Sequence, residues 1–141
     1  MTRVVGILAA AVLFALAALH VYWAGGGRRG ADVAVPTREG RPSFAPGIAS
    51  TLIVAMLLWA AAFVLLGRLR LWGEWLPRWP FTAGTWVLVV VFGGRIVGDF
   101  RWFGLFKRMT GTRFALWDTR LYVPLCALLS LAALLVAASG P

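Results

Sequence analysis

Acidic residues are scarce in this sequence: five Asp and Glu among 141 residues, beside one histidine and one cysteine. The single Cys126 excludes an internal disulfide, a CxxC pair and a cysteine-built metal cluster. One histidine, one cysteine and two nearby acids at unsuitable spacing leave a zinc or paired-metal site without its ligands. A haem needs axial ligands, and His20 is the only histidine, so no cofactor is expected. Gly25–Gly27 lack both a preceding strand and the GK[ST] ending of a phosphate-binding loop, which leaves them as flexible connection. Charged residues make up only 13% of the chain, where a soluble domain carries about 25%.

What fills the chain is apolar. Hydrophobic residues account for 61% and the mean hydropathy is +0.84, more than the core of a single domain this size can bury. The excess calls for lipid. A net charge of +9 would fit nucleic acid, but the arginines sit in short loops between apolar runs. Attraction to anionic headgroups explains that placement better, so no nucleic-acid partner is expected.

An apolar run from Val4 to about Ala24 follows Arg3, and about 20 helical residues cross a hydrocarbon core of about 30 Å. Ala15-Leu16-Ala17 has the look of a signal cleavage site, but the run's length and the spans behind it point to a retained helix. Its helical wheel puts His20 on one face with Gly6, Ala9, Ala10, Leu13 and Ala17, the small-residue side that packs on other helices. Residues 25–46 form a loop broken by Pro36, Pro42 and Pro46. Further spans are expected over about 47–66, 81–98 and 120–138. Trp72, Trp75 and Trp79 suit the headgroup zone between the second and third. Gly94-x-x-x-Gly98 permits close helix contact but is common by chance.

Between spans three and four, Trp102, Phe103, Leu105, Phe106 and Met109 fall on one helical arc, opposite Arg101, Lys107 and Arg108. That pattern predicts a short amphipathic helix over about 100–109 lying in the interface. Asp118 or Thr119 can cap span four, with Pro124 in its first turn. The expected fold is an all-α integral membrane four-helix bundle, one domain over residues 1–141.

Four spans place both termini on one side. That side carries Arg3, Arg68, Arg70 and Arg78, while loops one and three carry nine basic residues. The positive-inside rule then sets loops one and three in the cytoplasm of a cell-membrane protein. The polar chemistry gathers at that face. His20, Trp23, Arg95, Asp99, Arg101, Asp118 and Tyr122 are expected to border one ligand-binding pocket there, with Asp99 paired to Arg95 at i+4. The plain alternative is an Arg95–Asp99 pair that neutralises itself and a His20 that anchors at the interface.

His20-x-Tyr22-Trp23 with Gly26-Gly27, then Arg95-x-x-Gly98-Asp99-Phe100-Arg101, resembles a family of small bacterial membrane proteins, domain of unknown function 3995. Phe106-Lys107-Arg108, Gly111-Thr112, Phe114-Ala115, Asp118-Thr119-Arg120-Leu121-Tyr122 and Pro124-Leu125-Cys126 continue the resemblance over nearly the whole chain. Val123 departs from it, because a small polar residue usually precedes that proline. The resemblance implies four spans and brings no catalytic residue or cofactor.

Three functions stay open on these residues. The chain could bind a lipid or small anionic ligand, membrane lipids with anionic headgroups being the favoured partners. It could be a small membrane enzyme acting on a lipid, with His20 as general acid or base and Arg95 and Arg101 on a phosphate. It could be a structural or accessory subunit without a site, as a homo-oligomer or beside a partner membrane subunit.

Overall fold

The computed structural model describes residues 1–35, 37–38, 41–42, 46–98, 104–108 and 110–139. Three long helices, α1 (Thr2–Ala24), α3 (Ile48–Arg68) and α4 (Trp79–Val97), match the first three expected spans to within about two residues. They are separated by a one-turn helix α2 (Ala31–Ala34) and a two-residue hairpin, β1 (Thr37–Arg38) and β2 (Arg41–Pro42), in loop one. The chain continues as α5 (Arg113–Trp117), a π-helical turn over Asp118–Tyr122, and α6 (Val123–Ala138).

These last three elements form one continuous apolar rod, Arg113–Ala138, long enough to cross a bilayer like the other three. The fourth span therefore starts at Arg113 rather than near Arg120. Thr112 is its cap, with Oγ1 accepting from the Ala115 N–H at 3.0 Å. The reason lies in Pro124, which has no N–H and whose ring crowds the carbonyl four residues back. The helix widens ahead of it: the Val123 N–H donates to the Asp118 carbonyl five residues back, and the rod passes through the proline instead of starting there.

Small residues set the packing of the bundle. Gly6, Ala9, Ala10, Leu13 and Ala17 are the buried residues of α1, the same face that the helical wheel singles out. Ala61, Ala62 and Leu65 of α3 and Leu129, Ala132, Ala133 and Val136 of α6 close the core with them. Short side chains let backbones approach, which is how helices gain dispersion energy where lipid is as apolar as leucine. In sequence order each span packs on the next, and α6 returns to α1. The outer faces are apolar too: Leu8, Leu52, Ile53, Leu57, Val87, Val90, Leu128 and Leu131 are all exposed. Such a belt would be untenable in water, so the chain is a multi-pass membrane protein and a four-helix bundle.

The end of the bundle at loop two is sealed by rings. Trp72 packs against Phe63, Trp75 and Phe81. Arg68 donates from Nη2 to the carbonyls of Ser139 at 2.6 Å and Ala137 at 3.4 Å, closing the C-terminus of α6.

Candidate functional site

The opposite end, at loops one and three, is where the polar groups converge. Asp118 sits in the π-helical turn, fully buried. Its Oδ1 accepts from Arg95 Nη2 at 2.7 Å, and its Oδ2 accepts from Lys107 Nζ at 3.0 Å and the Gly104 N–H at 2.9 Å. A carboxylate removed from water is costly unless charged or N–H donors surround it, and here three of them do. Lys107 spends its other donors on Thr119 Oγ1 at 2.6 Å and the Gly104 carbonyl at 3.2 Å. Its side chain is only 7% exposed. Helix α4, loop three and the fourth span are thus joined at one carboxylate.

Loop three can reach this carboxylate because of a glycine pair. Gly104 has φ +91°, a left-handed conformation, and a Cβ there would lie 2.4 Å from Gly98 Cα and 2.6 Å from Gly98 N. The Leu105 N–H donates to the Ile96 carbonyl at 2.8 Å, which holds the loop on the end of α4. Gly104–Arg108, the described part of the segment expected to be an interfacial helix, runs as turns. Lys107, which the helical wheel places toward water, points inward to Asp118, while Leu105, Phe106 and Arg108 stay exposed.

Beside this cluster lies a cavity of about 1480 Å³ reaching all four spans. His20, Trp23, Arg95 and Tyr122 line it together, as the sequence places them at one membrane face. Asp118 stands behind Arg95 rather than in the lining. Asp99 and Arg101 lie outside the described residues, as does the expected Arg95–Asp99 pair. Arg29 and Arg113 also line the cavity, and nothing in the apolar periodicity marks them, because each reaches it from a loop or a helix start. Among the described lining residues none is acidic. The walls are Leu16, Leu58, Phe92, Leu125 and Leu129.

His20 and the two aromatics are each fixed by a backbone carbonyl. His20 Nδ1 is 2.8 Å from the Leu16 carbonyl, which can only accept, so Nδ1 is the donor of this bond. The imidazole meets Trp23 edge-on, with ring centres 5.0 Å apart. Trp23 Nε1 donates to the Arg29 carbonyl at 2.8 Å, and Tyr122 OH donates to the Val33 carbonyl at 3.2 Å. These two bonds tie α2 across the end of the bundle, where it also touches α5. Cys126 lines the same cavity one turn beyond Tyr122. Gly94 faces open space: a Cβ there would meet nothing within 4 Å, so the Gly94-x-x-x-Gly98 spacing makes no helix contact at its first glycine. No group of three or more metal-ligating side chains occurs among the described residues.

No curated protein and no solved structure matches the chain. A family model described as protein of unknown function DUF3995 matches residues 13–133, a stretch that reaches all four spans and the whole polar cluster, and the chain belongs to that family.

Proposed function

We propose that the protein binds an anionic amphiphile in this cavity. The observation that carries the reading is the pairing of three arginines and a histidine at the loop end with apolar walls deeper in. Arg29, Arg95 and Arg113 offer forked donors suited to a carboxylate or phosphate, and His20 adds a further polar contact beside them. Leu58, Phe92 and Leu129 offer an apolar bed to whatever follows the anionic group. Asp118 supports the site from behind, because a carboxylate on one side of Arg95 fixes the guanidinium in place before a ligand arrives.

The excess of basic residues in and beside loops one and three supports a cytoplasmic position for this headgroup end, on the side where anionic lipids are enriched.

Mass spectrometry of protein purified gently from the membrane tests the reading. The expected result is an anionic lipid retained well above its share of the surrounding bilayer. Arg29→Gln and Arg95→Gln should each cut that retention by about tenfold, equivalent to about 1.4 kcal/mol. Lipid carried only in bulk proportion, or retention indifferent to both substitutions, would overturn the proposal.

A further inference from the structure

Resting on that binding reading, we infer that the ligand is a lipid of the surrounding leaflet, held with its headgroup beneath α2 and its chain leaving sideways between α3 and α4. The packing of these two helices is uneven along their length. At the loop-two end they are close: a Cβ on Gly67 would come within 2.3 Å of the Phe81 ring, and one on Gly84 within 2.9 Å of Val64. At the cavity end Val54 and Leu58 of α3, with Val91 and Gly94 of α4, line the cavity instead.

Val54 and Val91 are 40% and 56% exposed although both line the cavity. A residue that faces both an interior space and the outside stands at the edge of an opening. Each is six residues from the loop-side end of its helix, so both lie about 9 Å along the rod at 1.5 Å per residue. The two helices run antiparallel, which puts the two valines at one depth, where the outside is hydrocarbon. Gly94 adds room one turn nearer the headgroup end, since the space beyond its missing side chain is empty.

The aqueous side is covered differently. The hydrogen bonds from Trp23 to the Arg29 carbonyl and from Tyr122 to the Val33 carbonyl hold α2 over the loop-side end. A ligand with both a charged end under that roof and an apolar end at the valine opening has the lengthwise order of a membrane lipid. A compact soluble anion would use only the arginine end and leave the apolar half and its side opening unfilled.

The full chain in phosphatidylcholine nanodiscs tests this with two probes sharing one headgroup, dioleoyl and dihexanoyl phosphatidylglycerol. Val91→Trp places a bulky ring at the edge of the opening, and Val87→Trp places one a turn away on an exposed position outside the lining. Val91→Trp should lower occupancy by the long-chain probe by about tenfold or more while changing the short-chain probe by less than about twofold. Val87→Trp should change neither, and all three proteins should share a melting temperature. Unchanged long-chain occupancy in Val91→Trp, or an equal loss of both probes, overturns the sideways chain. Binding of the short-chain probe alone by the unsubstituted protein also overturns it, leaving a headgroup site. Binding of neither probe removes the binding reading itself, and this inference with it.

Discussion

Arg95 of α4 is held by Asp118 of the fourth span, Nη2 to Oδ1 at 2.7 Å, across 23 residues of chain. The carboxylate has no exposure and the arginine side chain keeps 27% of its own. One partner is thus locked inside the bundle while the other reaches the cavity. The same carboxylate draws in Lys107 and the Gly104 N–H, so a single acidic residue organises loop three and the arginine together.

Asp118→Ala should therefore be severely destabilising. It strands the nearly buried Lys107 and the Gly104 N–H, and breaking a buried ion pair from one side costs about 3–5 kcal/mol. Adding Lys107→Met should recover part of that loss, because the orphaned charge goes too. Thermal unfolding in detergent measures both. A loss below about 1 kcal/mol in the single variant, or a double variant that is worse, contradicts the account.

Two glycines should respond in opposite directions to the same substitution. Gly104→Ala forces a methyl onto Gly98 backbone atoms 2.4–2.6 Å away, at φ +91°, and neither backbone can yield without opening the Asp118 cluster. The left-handed conformation alone costs about 1–2 kcal/mol. Gly94→Ala meets nothing within 4 Å in the last turn of α4, and should gain up to about 0.5–1 kcal/mol from reduced chain entropy. Melting temperatures moving in the same direction would refute the pairing.

Pro124→Ala should not yield the stability that removing a helix-interior proline usually brings, about 3 kcal/mol. With an N–H restored at that position the π-helical turn can revert to ordinary helix, which rotates Asp118 away from Arg95 and Lys107. Hydrogen exchange at Gly104, whose N–H is bonded to Asp118, reads this out. Faster exchange there in Pro124→Ala is the expected outcome. Slower or unchanged exchange would show that the turn persists without its proline.

The orientation is testable in cells. Nine basic residues in and beside loops one and three, against four on the other side, predict that both termini lie outside. A reporter active only in the cytoplasm, fused behind Pro141, should stay silent, while a thiol label at Gly30→Cys should require a permeant reagent. An active reporter would mean that arginines gathered for the cavity had biased the charge count.

The four spans were legible in the residues alone because run length and composition are local quantities. About 20 apolar residues bounded by arginine, proline or tryptophan can do little but cross a bilayer. The buried face of α1 was equally legible, since a helix of known pitch turns the spacing of Gly6, Ala9, Ala10, Leu13 and Ala17 directly into a direction. That direction also carried His20 to the cavity side.

Tertiary structure decided how the charged groups are arranged. The i+4 spacing marks Asp99, which lies outside the described residues, as a partner for Arg95; the contact with Asp118, on another helix, is one that this spacing does not reach. No spacing rule could name it, because it depends on a widened turn ahead of Pro124 and on a loop folded back at Gly104. Lys107 was assigned to water by its helical angle, and Arg29 and Arg113 had no angle to be read from. In a low-dielectric interior a charge goes where donors and acceptors can surround it, and that is settled by proximity through space, not along the chain.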